Sequence, residues 1–181
     1  MPKQTQAPAI TPSTELAANS HLAVAARHFM EPIWLEWHSG RSGDAPSTPS
    51  QWTCGRTSLF LVRALTAAGV DASWASGTPR LSADGPELGP FGFLTDTGWQ
   101  SHAWVECGNM IVDITADQFG ASPVLITDRH DRRYRRGDRD TALPEFILAR
   151  ERAVDEIWPR WLGNNRNTST STPGTFSGTA E

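Results

Sequence analysis

The sequence predicts an α+β fold in which an antiparallel sheet packs on a helix. Three observations carry that prediction. Residues 53–68 hold the clearest helical pattern in the chain, and Gly69 stands where a helix would stop. Residues 101–115, SHAWVECGNMIVDIT, read as a β-hairpin: two alternating apolar runs flank the turn pair Gly108-Asn109. A third strand, PVLIT at 123–127, follows soon after.

Taken in order, residues 1–13 are rich in Pro, Thr and Gln and are expected to be a disordered tail. A helix is expected from Thr14 to about Phe29, with Leu16, Leu22, Ala26 and Phe29 on its buried side. Pro32 then opens a separate short helix that Gly40 ends, and 41–50 is a loop by composition. In the helix at 53–68, Cys54, Ser58, Leu61, Leu65 and Ala68 share one side, opposite Arg56 and Arg63. Residues 70–75 read as a short strand. The Gly/Pro-rich stretch 77–98 reads as one long loop, either a lid over a site or a surface insertion. Residues 129–140 carry six arginines against three aspartates, which favours a solvated, self-paired surface loop over an anion site. Pro144 opens a final helix reaching Trp158, with Ile147, Val154, Ile157 and Trp161 at helical spacing, although EFILA alone also fits a strand. The low-complexity stretch 163–181 is expected to be disordered, which leaves 14–162 as a single domain.

A chain of 181 residues with 38% hydrophobic content supports one domain with a real core. A net charge of −4 argues against a nucleic-acid partner, because no global positive field draws phosphate. No apolar run is long enough to span a membrane, and the first residues lack the apolar stretch of a secretory signal; a cytoplasmic location is the expectation. Two cysteines make neither a disulfide scaffold nor a multi-cysteine metal module, and no metal or cofactor is expected. Eight tryptophans must line either the core or a ligand cleft.

If Gly108 and Asn109 form the hairpin loop, Cys107 faces Met110, Val105 faces Val112 and Ala103 faces Ile114 on one apolar, core-facing side. The other side then carries His102, Trp104 and Glu106 opposite Thr115, Asp113 and Ile111, with His102 and Asp113 as diagonal neighbours. An imidazole beside a carboxylate suits a thiol nucleophile. Only the thiolate attacks, and Cys54 at a helix start meets the positive end of the helix dipole. A nearby His102 would hold that thiolate as an ion pair and later protonate a leaving amine, while Asp113 fixes the ring's tautomer.

The residues Cys54-Gly-Arg-Thr-Ser-Leu at a helix start, His102-Ala-Trp-Val-Glu106 on a strand and Ile-Val-Asp113-Ile-Thr115 on the next resemble the transglutaminase-like group of the papain-like cysteine peptidase superfamily. The most specific part is HAWVE followed by a strand ending in D-x-T. The likeness covers about residues 50–127, and VDITADQF is similar to small bacterial and phage proteins of this type. It implies a papain-like core with Cys54 as nucleophile, His102 as general base and acid, and Asp113 as orienting residue. It also implies a peptide or protein amide substrate that is hydrolysed, deamidated or transferred to an amine through a thioester. More weakly, the Cys helix with HAWVE is similar to leader-cleaving proteases of lasso-peptide maturation. The chain departs from the group in having Gly55 where Trp commonly follows the nucleophile. Gln51 is the candidate for the oxyanion hole, although it lies only three residues before Cys54. The Cys54 N–H is a further candidate donor. Trp52, Trp99, Trp104 and Gln118 are candidates for lining the cleft.

Three other readings compete. A Cys54–Cys107 disulfide conflicts with the register, which puts Cys107 on the face away from His102, and with a reducing compartment. A metal held by Cys54, His102 and Asp113 lacks any supporting ligand spacing. A catalytically silent binding module would use a Trp-rich cleft and leave the triad idle.

Overall fold

Helix α1 (Pro12–Ser39), helix α2 (Cys54–Ala67) and helix α3 (Pro144–Ser169) pack on one face of a four-stranded antiparallel sheet. That sheet has the order β1 (Ala72–Gly77), β4 (His102–Cys107), β5 (Met110–Asp113), β6 (Leu125–Asp128). A second sheet, of β3 (Gly98–Gln100), β2 (Gly92–Thr95) and β7 (Tyr134–Arg135), covers part of the other face. This structure is a computed structural model describing residues 12–82 and 84–169. Among the described residues no helix is long and apolar enough to cross a membrane.

The predicted hairpin register is the observed one: Cys107 pairs with Met110, Glu106 with Ile111 and Val105 with Val112. Val105, Cys107, Val112 and Ile114 enter the helix-side core with Ile33 and Trp34 of α1, Phe60 and Leu61 of α2, and Val154 and Ile157 of α3. The other side of the hairpin is not the polar outer surface that alternation suggests. Trp104 and Ile111 are 1% exposed and pack with Phe93 and Tyr134 in a second apolar cluster. All six residues of β4 are buried, so His102 stands between two layers.

Several boundaries differ from expectation, each for a tertiary reason. The two helices expected at 14–29 and 32–40 are one, with Pro32 inside it. The missing N–H at Pro32 argues for a break, but the neighbouring Met30, Ile33 and Trp34 are fully buried and hold the helix through it. Residues 163–169, expected in the tail, belong to α3. Trp161 is anchored edge-on against Phe29 and Phe60, and a nucleated helix extends readily beyond such an anchor. EFILA is accordingly helical. Residues 12 and 13 join α1, and the rest of both predicted tails lies outside the described residues.

The stretch 77–98 is not one structureless loop. It contains β2 and begins β3, and Phe93 pairs with both Gln100 and Tyr134. The Arg-rich segment supplies β7, so Tyr134 points inward while its neighbours pair outward: Arg133 with Asp131, and Arg129 and Arg136 with Glu106. Those Arg133 bonds hold the Asp131 carboxyl down at about 2. The two sheets meet at Gly77 and Gly92. A Cβ on Gly92, whose φ is +106°, would lie 2.0 Å from the Gln100 carbonyl oxygen. Gly92→Ala is therefore expected to destabilise the fold by about 3 kcal/mol or more, read from urea unfolding, since both steric clash and backbone strain act there.

Candidate active site

Cys54 is the first residue of α2, and the loop before it is tightly built. The Ser50 carbonyl accepts the Thr53 N–H at 3.1 Å and the Thr53 hydroxyl at 2.7 Å. Between them Trp52 takes φ +62°, the one positive φ at a non-glycine position among the described residues. For a bulky side chain this conformation holds about 1–3 kcal/mol of strain, and such strain persists only where surrounding bonds impose it.

His102 pairs opposite Gly77 on the neighbouring strand, its side chain fully buried. Its Nε2–H donates to Asp113 Oδ2 at 2.6 Å. The ring is boxed by Phe119 edge-on at 5.0 Å, Phe93 edge-on at 5.7 Å and Trp104 stacked at 6.2 Å. Nδ1 has no hydrogen-bond partner, and the ring interacts electrostatically with the Cys54 thiol, which lines the same groove. Asp113 is saturated with donors: Tyr134 OH gives a second bond to Oδ2 at 2.8 Å, while Thr115 N–H and hydroxyl reach Oδ1 at 2.8 and 3.0 Å.

The electrostatics follow from this geometry. Burial opposes ionisation of Cys54, but the adjoining imidazolium and the Ala103 N–H outweigh it and hold the thiol below its ordinary value. Burial likewise opposes a charged His102, yet Asp113, with a smaller contribution from Cys54, pushes its pKa up to about 10. Asp113 is kept ionised below the usual carboxylate range in spite of burial, chiefly by His102. Burial and the Asp113 charge keep Tyr134 protonated, so it remains a donor.

One buried guanidinium ties the cysteine side to the carboxylate side. Arg27 of α1, 6% exposed, donates to the Ile114 carbonyl at 2.9 Å and to Asp117 Oδ2 at 2.8 Å. The other Asp117 oxygen accepts Ser50 Oγ at 2.5 Å. Ile114 lies between Asp113 and Thr115, and Ser50 anchors Thr53, so the bridge sets the spacing across the site. Ser50→Ala is expected to shift the acid limb of Cys54 alkylation toward the ordinary thiol range, measured by mass spectrometry from pH 5 to 9. The lost bond to Asp117, a charged acceptor, is worth about 1.5–3 kcal/mol.

The structure brings Cys54, His102 and Asp113 together, but it places the other sequence candidates elsewhere. Gln51 does not face the groove; its side-chain oxygen accepts the Ser47 N–H and hydroxyl. Trp52 is 46% exposed under the Arg41 guanidinium and beside His38. Trp104 is a core residue behind His102. Trp99 sits on β3 in a separate depression with Arg80 and Glu87. Gln118 donates to the Thr115 carbonyl at 2.9 Å and lies outside the groove lining. Sequence reading missed Tyr134, Phe93, Phe119 and Trp74. The tyrosine carries no local signal, because only the pairing of β7 with β2 delivers it to Asp113.

Neither cysteine is in a disulfide: Cys107 is buried in the helix-side core, away from Cys54. Among the described residues no group of three or more His, Cys, Asp or Glu side chains is arranged to hold a metal ion. Compared with protein-family models, curated proteins and solved structures, the chain matches none.

Proposed function

We propose that this chain is a cysteine-dependent amide hydrolase or acyltransferase with a papain-like core of the transglutaminase-like kind, acting through a thioester. The observation that carries the reading is Cys54 at a helix start in one groove with His102, whose Nε2 is held by Asp113. In this mechanism the Cys54 thiolate attacks the amide carbonyl carbon. The oxyanion forms near the first-turn N–H groups of α2, which have no acceptor within the helix. His102 then gives its Nδ1 proton to the departing amine as the C–N bond breaks, leaving a thioester on Cys54. Water or an amine next attacks the thioester, neutral His102 takes its proton, and the C–S bond breaks. Asp113 holds the Nε2–H throughout and stabilises each imidazolium without itself taking the proton.

A silent module binding through a tryptophan-rich cleft has less support, since Trp52, Trp99 and Trp104 lie outside the groove and Trp74 alone lines it among the described residues. The test is acid-quench mass spectrometry after incubation with a mixed peptide digest. The expected result is an acyl adduct on the Cys54 peptide that hydroxylamine discharges and that Cys54→Ala lacks. Absence of any adduct, with no amine or ammonia released, would sink the proposal.

A further inference from the structure

The groove that holds Cys54 and His102 has a volume of about 350 Å³, and its lining carries a chemistry of its own. Trp74 of β1 forms one wall, its indole N–H directed at the Gly55 carbonyl, 3.4 Å away. Arg150 of α3 lies over that indole, 4.3 Å from the ring centre, and its guanidinium is paired with Asp140. The two charges in the lining besides those of the cysteine–histidine pair thus neutralise one another, and the Arg150 Nε–H, which has no partner, is itself buried.

The rim differs. Leu81 is 55% exposed, Leu143 55% and Phe146 62%, and none joins either core cluster. They come from separate segments, the loop after β1 and the start of α3, yet all three line the groove with Cys54. Single exposed apolar side chains are ordinary on a protein surface; three converging on one groove beside a nucleophile mark a binding surface. The lining also carries three hydroxyl residues, Ser76 on β1, Thr78 just after it and Ser101 just before β4. Such hydroxyls suit the amide groups of a peptide and have no partner in a bare alkyl chain.

Resting on the reading of Cys54 as nucleophile, we propose that the acyl donor is a polypeptide with an uncharged apolar side chain beside the reacting carbonyl, seated against Leu81, Leu143 and Phe146. A charged side chain in that place would lose water and find no free counter-charge.

Peptidyl chloromethyl ketones test this directly, because the thiolate displaces chloride at their methylene carbon and leaves a stable thioether. Two dipeptide reagents identical except for Phe or Asp beside the ketone are compared, each rate of Cys54 modification being divided by that variant's rate with iodoacetamide. The expected result is a preference for Phe of about 10-fold or more, collapsing toward unity in Leu143→Ser/Phe146→Ser. Both positions are exposed, so the fold tolerates the change. Equal rates, a preference for Asp, or a preference unchanged in the double variant overturns the substrate class alone. A simple alkyl chloromethyl ketone that outpaces the Phe reagent shifts the ligand to a lipid-like acyl chain and overturns it equally. Iodoacetamide labelling of Cys54 no faster than that of a free thiol removes the nucleophile and this inference with it.

Discussion

Asp113→Ala is expected to lower the stability of the fold by about 3–5 kcal/mol, the loss typical of leaving one member of a buried charged pair alone. The aspartate accepts from His102, Tyr134 and twice from Thr115, and its side chain is fully buried. Removing it strands the imidazole Nε2–H, the phenol and the Thr115 N–H in a space closed by Phe93, Trp104 and Ile111. The effect has a signed pH dependence. Asp113 has a folded pKa below its unfolded value, so its stabilisation is present above about pH 3.9 and is lost as pH falls. His102 has a folded pKa raised to about 10, so its contribution is full below its unfolded value of about 6.5 and fades as pH rises toward 10. Urea unfolding at pH 4, 6 and 9 should find the largest wild-type-to-variant difference near pH 6. A difference below about 1 kcal/mol at pH 6 would show that the charged cluster contributes far less than its geometry implies.

His102→Ala is expected to slow Cys54 alkylation at pH 6 by about 100-fold or more, the scale on which a positioned acid–base partner acts. With the histidine present, its charge overcomes the burial that otherwise disfavours a thiolate. Without it, burial remains, and the thiol should titrate at or above the ordinary range. Wild-type labelling should therefore level off below the pH at which a free cysteine ionises, while the variant keeps rising through the alkaline range. Peptide-resolved mass spectrometry separates Cys54 from the buried Cys107. Superimposable pH profiles for the two proteins would remove the ion pair from the mechanism.

Much of this site was legible in the amino-acid order because it is local. The alternation of SHAWVECGNMIVDIT around Gly108-Asn109 sets a register, and register alone makes His102 and Asp113 neighbours. The helix at Cys54 and its glycine stop are likewise nearest-neighbour properties: Gly69 takes φ +84° and Val70 N–H closes on the Leu65 carbonyl. Such features depend on side-chain period and backbone freedom, which neighbouring residues fix among themselves.

What the tertiary structure alone decided is everything that joins segments far apart in the chain. Proline propensity divides α1 at Pro32, yet the buried flank of Met30, Ile33 and Trp34 overrides it. Gln51 and Trp104 stand beside the expected site residues in sequence, but a turn bond to Ser47 and burial behind His102 remove them from the groove. Tyr134 comes to Asp113, Arg27 to Ser50 by way of Asp117, and Phe146 to Cys54 only when separate sheets and helices close on one another. Periodicity records which face of an element is apolar; it carries no record of which distant element covers that face. The sequence by itself therefore determined the fold class and the pairing of His102 with Asp113, and long-range packing decided what surrounds that pair.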